Sequence, residues 1–233
     1  MKLLLLLFGG LKLGKIFITG GSMIVSVFAY SLIFGWKYAL GFVLLIFCHE
    51  MGHYLAAKKL GLNVGAPTFI PFVGAWIALK EQPLKAEDEA YVGIAGPFVG
   101  TIAAVICYFW ALKSESNLFL AISYAGFFIN LFNLIPLPPF DGGRITAAIS
   151  RKMWFVGVPI LIGVFVWRPS PILILMIILA APHIWNSLRG KGESKSYYDV
   201  PFAKRVEYGL LYFGLLAYLS VMSNKVYDIL HAM

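Results

Sequence analysis

Charge is scarce in this 233-residue chain. Asp, Glu, Lys and Arg make up 13% of it, about half their share of an average globular domain, which excludes an ordinary soluble domain with a charged surface. Cysteine is scarcer still: Cys48 and Cys107 are the two, both inside apolar runs, so a disulfide framework of the secreted kind is excluded. Histidine is limited to four residues, too few for the repeated metal stations and His-rich loops of a metal carrier. No internal repeat, low-complexity stretch or long soluble insertion occurs, and the most polar segment, 189–207, reads as a linker before a last apolar run.

What is abundant is apolar surface. Hydrophobic residues are 60% of the chain and mean hydropathy is +0.82. Segments close to the roughly 20 residues that cross a bilayer fall near 16–34, 38–59, 91–112, 118–137, 153–167, 171–187 and 206–222. Arg168-Pro169-Ser170-Pro171 is read as an outer turn between two separate passes. The fold class is therefore an all-α polytopic membrane protein of six to seven transmembrane helices. The first eight residues resemble a signal peptide, but Gly9-Gly10, Lys12 and Lys15 interrupt them, which favours a retained interfacial lead-in.

The formal net charge of +8 suggests a nucleic-acid partner until its distribution is considered. With the N-terminus inside, only Lys37, Lys113, Arg168 and Lys225 fall outside, and the other fifteen of nineteen basic residues fall inside. That is the positive-inside pattern, so the charge encodes topology. It implies a multi-pass protein of the cell membrane with a cytosolic N-terminus, the lipid bilayer as a partner and no nucleic acid. The count treats 66–79 as a segment that does not cross. Pro67, Pro71 and Gly74 break it, while Thr68, Phe69, Ile70, Phe72, Val73, Trp76 and Ile77 favour extended chain. A small membrane-associated β-hairpin follows, re-entrant or interfacial. Non-helical backbone survives at membrane depth only when buried in protein or lining a wet cavity, which makes the hairpin a candidate wall of a site.

The chemistry sits in His49-Glu50-Met51-Gly52-His53, inside the second span. Two imidazoles four residues apart on a helix face one way and can share one metal ion, with the intervening glutamate available as a base. Ionisable groups at that depth are costly and functional by default. His53 lies five residues before Lys58, about 8 Å of helix rise, so the pair belongs to the inner half of the membrane. Catalytic zinc normally takes three protein ligands and leaves one position open. Asp141, the only acid between Ser116 and Lys191, stands at the same depth and is the expected third ligand. Pro136, Pro138 and Pro139 stop the fourth span before it, and Gly142-Gly143 are expected to permit a sharp turn that points the carboxylate back into the bundle.

His-Glu-Met-Gly-His on one span, with Asn133-x-x-Pro136-x-x-x-x-Asp141-Gly142 on a later one and Gly93-x-Ala95-Gly96-Pro97 opening the span between, resembles the site-2 protease family of intramembrane zinc metalloproteases over roughly 38–145. The resemblance implies a zinc metalloendopeptidase holding one Zn²⁺ per chain and hydrolysing transmembrane protein substrates in or near their membrane segment, close to the cytosolic side. His49, His53 and Asp141 would hold the metal. Glu50 would deprotonate the attacking water and pass the proton to the leaving amine, and Asn133 would contact substrate or the tetrahedral oxyanion. Outer loops such as 113–117 are too short for the peptide-binding domain of larger relatives, and no C-terminal regulatory domain is expected. The domain division is 1–37 for the lead-in and first helix, 38–152 for a catalytic three-helix core with its hairpin, and 153–233 for the C-terminal helices.

Other readings stand beside these. A metal-ion transporter would use the same His/Glu/Asp cluster, and another class of membrane zinc peptidase would draw its third ligand from Glu81, Glu87 or Glu89. Asn130, one turn before Asn133, either orients a ligand or makes a plain interhelical hydrogen bond. Cys48 points about 100° away from His49 and suits packing. His183 suits the interface, and Gly93, Gly96 and Gly100 suit close helix contact.

Overall fold

The structure, a computed structural model, describes residues 12–79, 85–189, 194 and 196–232. The lead-in expected at 1–8 and the alternative ligand Glu81 lie outside them. The chain forms α1 (Lys12–Phe34), α2 (Trp36–Lys59), a hairpin of β1 (Val64–Ile70) and β2 (Gly74–Leu79), α3 (Ala86–Ser114), α4 (Asn117–Asn133), the short α5 (Asp141–Ile149), a 3-10 turn at Arg151–Met153, α6 (Trp154–Trp167), α7 (Pro171–Leu188) and α8 (Phe202–His231).

Five helices, α1, α2, α3, α7 and α8, are long and apolar enough to cross a membrane. With the shorter apolar helix α4 there are six among the described residues, within the expected six to seven. The 14 residues of α6 rise about 21 Å, short of a hydrocarbon core of about 30 Å. The apolar run expected as a span to residue 137 overshoots, because α4 ends at Asn133. Pro136 has no N–H for the Phe132 carbonyl, which instead accepts from Ile135 N at 3.1 Å, a tighter closing turn. In the other direction, α8 runs beyond the expected 206–222 at both ends. Its polar ends lie outside the apolar stretch that hydropathy detects; one carries the Lys204–Glu207 pair at 2.8 Å.

Close packing at small residues builds the bundle. A Cβ on Gly52 of α2 would collide with the Ala95 carbonyl of α3, and one on Gly126 of α4 would meet Ala104 and Leu45 at 2.8 Å. Helices α2 and α4 therefore run parallel, with α3 antiparallel between them. One apolar core joins α3, α4, α5 and α8 through Tyr108, Phe127, Leu134, Ile145, Tyr212 and Leu219. A second joins α6 and α7 to the 134–140 loop through Leu137, Phe140, Trp154 and Leu161. A third joins α1, α2 and β1 through Tyr30, Val43, Ile46 and Phe69.

The hairpin expected at 66–79 is present, with Pro67 opposite Ile77 and Phe69 opposite Ala75. Helix α1 occupies the outer edge of β1: Thr19 Oγ1 donates to the Pro67 carbonyl at 2.7 Å, and Phe69 N–H donates to Ser22 Oγ at 3.1 Å. Since Pro67 and Phe69 turn these groups away from β2, the antiparallel pattern turns the backbone groups of Ala75 and Ile77 away from β1. Strand β2 is thus the edge that keeps no backbone partner among the described residues.

Candidate metal centre

Four ionisable side chains that water would normally solvate are buried together. Relative exposure is 5% for His49, 8% for Glu50, 7% for His53 and 8% for Asp141. Helix α2 supplies the first three, with His49 and His53 one turn apart, and α5 supplies Asp141 as its first residue. Helix α5 begins hard against the preceding loop. A Cβ on Gly142 would collide with the Leu134 and Ile135 carbonyls, and one on Gly143 with the Leu137 and Pro138 backbone. The expected reason for this glycine pair needs correcting. Neither has positive φ; both are helical, and what matters is the missing side chain that lets helix and loop touch.

His49 Nε2 and His53 Nε2 lie 3.1 Å apart, and Asp141 Oδ2 lies 3.1 Å from the first and 3.2 Å from the second. Among the described residues, these three form the group of His, Cys, Asp and Glu side chains that could hold a metal ion. The other ring nitrogens fix their tautomers. His49 Nδ1 faces Asn130 Oδ1 at 2.8 Å and His53 Nδ1 faces the Val92 carbonyl at 2.8 Å. The Asn130 amide is oriented in turn, since its Nδ2 donates to the Gly126 carbonyl at 2.7 Å. Both partners are acceptors, so each Nδ1 carries a proton, and in the neutral ring the Nε2 lone pair then turns inward.

With both rings neutral, three acceptors face one another, an arrangement that a shared cation relieves. Ligand atoms of a tetrahedral site with bonds of about 2.0–2.1 Å lie about 3.3–3.4 Å apart, close to the spacing found here. Two imidazole nitrogens and one carboxylate oxygen suit Zn²⁺, and the two oxygen partners on the Nδ1 atoms are the outer support such ligands usually have.

Asn130 thus makes an interhelical bond that also orients a donor, so its two open readings coincide. Gly96 and Gly100 do more than let helices approach. A side chain on Gly96 would overlap the His53 ring, and one on Gly100 would overlap the Asn130 amide. Asn133 ends α4, half-buried, and is not among the groups gathered at about 3 Å. Glu87 and Glu89 lie in the first turn of α3, outside the cluster. His183 is exposed and bonds the Leu179 carbonyl of its own helix. Sequence reasoning missed the Val92 carbonyl, a backbone group that no residue type announces.

An apolar helical bundle with a buried His/His/Asp donor set beside a buried glutamate defines a membrane-embedded zinc centre. The model of Peptidase family M50 matches residues 37–116. Zinc metalloprotease MJ0392 of Methanocaldococcus jannaschii is 33% identical over 125 residues, covering 50% of this chain and 36% of that protein. A second protein of that organism named for zinc metalloprotease activity, MJ0611, is 26% identical over 59% of this chain and 87% of its own length. The solved site-2 protease from Methanocaldococcus jannaschii aligns with 83% of this chain and 84% of its own, at 22% identity and a TM-score of 0.45. The chain spans about a third of the length of MJ0392. Residues 37–116 thus carry the likeness to Peptidase family M50.

Asn130→Ala removes the acceptor that holds His49 in its inward tautomer. Chelator competition should show zinc affinity reduced about 10–100-fold with the fold retained; unchanged affinity would deny Asn130 that role.

Proposed function

We propose that this chain is an intramembrane zinc metalloendopeptidase that hydrolyses peptide bonds in or near the transmembrane segment of membrane-protein substrates, close to the cytosolic side. The observation that carries this reading is the buried donor triangle of His49, His53 and Asp141 with Glu50 one residue away. Sidedness rests on charge. Lys58 and Lys59 close α2, and Arg144, Arg151 and Lys152 follow Asp141, so the site lies at the basic end of the helices, cytosolic by the positive-inside rule. On the same reading the N-terminus is cytosolic and the membrane is the cell membrane. Residues 38–152 form the catalytic unit, preceded by 1–37 and followed by 153–233.

His49, His53 and Asp141 would hold Zn²⁺, which when bound acidifies water and polarises a substrate carbonyl. Glu50, whose carboxylate no described residue hydrogen-bonds, takes the proton from the attacking water and delivers it to the leaving amine. Asn133, at the end of α4 and one turn from Asn130, donates its amide N–H to the oxyanion that develops on the scissile carbonyl. The dry surroundings strengthen each of these interactions and exclude bulk water.

A helical substrate hides its peptide bonds and must unwind locally. The outward groups of Ala75 and Ile77 on β2 offer an edge on which such a segment can pair, giving affinity with little sequence selectivity.

Purified Glu50→Gln should keep its zinc yet lose cleavage of a model membrane substrate by about two orders of magnitude or more, and wild-type liposomes should show no zinc uptake. Uptake without cleavage by wild type would favour a transporter instead. Ala75→Pro, which removes one outward N–H from β2, should lower turnover without releasing zinc. Undiminished turnover would defeat the pairing role.

A further inference from the structure

The segment 134–143 carries Asp141 and must run through the protein without helical hydrogen bonds at its start. Three prolines remove donors there, and carbonyls left behind at a helix end need partners, most of all where water is excluded. Its two ends are each held by a side chain from beyond the family-matched residues 37–116. At the entry, Tyr212 of α8, fully buried, donates its hydroxyl to the Leu134 carbonyl at 2.6 Å. At the exit, Trp154 at the start of α6 donates Nε1–H to the Gly143 carbonyl at 2.9 Å. Between them α6 touches the segment directly, since a Cβ on Gly157 would collide with the Pro136 carbonyl. Leu134 follows Asn133, and Gly143 lies two residues beyond Asp141, so the two bonds lie on either side of Asp141, the first of them next to Asn133.

We propose that Tyr212 and Trp154 are positioning residues, fixing the 134–143 segment so that the Asp141 carboxylate meets the two imidazoles. This inference rests on the zinc-peptidase reading above. Neither side chain touches the donor triangle. Each acts through one backbone carbonyl: losing the Tyr212 hydroxyl leaves the buried Leu134 carbonyl unpaired, losing the Trp154 N–H leaves Gly143 with only its local donors such as Thr146 Oγ1 at 3.3 Å, and either loss lets the segment relax away from α2. Tyr208 supplies an internal comparison. One turn earlier on α8, its hydroxyl donates to the Glu87 carbonyl at 3.2 Å, anchoring the start of α3 rather than the Asp141 segment.

The test uses the full chain, loaded with zinc, and follows zinc release into excess chelator together with kcat, KM and thermal unfolding. Wild type should hold zinc and Asp141→Ala should not; a wild type that holds none overturns both the peptidase reading and this inference. Given a zinc-holding wild type, Tyr212→Phe and Trp154→Phe should each release zinc about tenfold faster and lower kcat, with KM within about twofold, while Tyr208→Phe behaves as wild type. Should one variant fail to fold, the other carries the test. Release at the wild-type rate from the folded variants, or equal acceleration in Tyr208→Phe, overturns the inference and leaves the peptidase reading intact.

Discussion

Two imidazole nitrogens and a carboxylate oxygen meet within 3.2 Å of one another, and with both rings neutral none of the three has a proton to offer the others. Outside water, where charges and dipoles are poorly screened, such a meeting is repulsive, and it persists only because the surrounding structure imposes it. Asn130 and the Val92 carbonyl turn the ring protons outward, and Gly96 leaves space for the His53 ring. The glycine pair after Asp141 lets α5 begin against the loop that precedes it. Each of these features makes sense once a cation is the common partner.

The bundle follows from that requirement. Helix α3, antiparallel to its neighbours, is lined with glycines on the side facing the site, so α2 and α4 come close enough for a side chain on one to reach a ring on the other. Helix α1 and the hairpin pack on one flank through Tyr30, Val43 and Phe69, while α6 and α7 pack on the other through Leu137, Phe140 and Trp154. The hairpin is tied to α1 by hydroxyl groups, Thr19 and Ser22 along the β1 edge and Tyr30 at the turn through Phe72 N–H. That leaves, among the described residues, a β2 edge without a backbone partner beside the helix that carries His49 and His53.

The donor set was legible because it depends on short-range rules: residues at i and i+4 share a helix face, and a lone acid after a proline-broken span has few other places to go. Asn130 was half-legible. Its depth and face were plain, but an amide can bond almost any neighbour, and only the arrangement of α4 against α2 selects His49. The glycines of α3 showed as a small-residue pattern, yet what fills the space beside each is a property of the partner helix. Gly142 and Gly143 were found for a mistaken reason, since a glycine pair reads as a turn whether it supplies backbone freedom or merely lacks a side chain. Tyr212 and Trp154 left no trace in the sequence, because an aromatic residue in an apolar helix is indistinguishable from ordinary core until its polar atom finds a carbonyl 78 or 11 residues away.

The central claim, that these three side chains share one zinc ion, is tested most directly by zinc K-edge X-ray absorption on the purified, zinc-loaded chain. The predicted result is one zinc per chain, with nitrogen and oxygen neighbours at about 2.0–2.1 Å and scattering from two imidazole rings. A protein that retains no stoichiometric zinc, or a shell containing sulfur at about 2.3 Å from Cys48 beside His49, would contradict it.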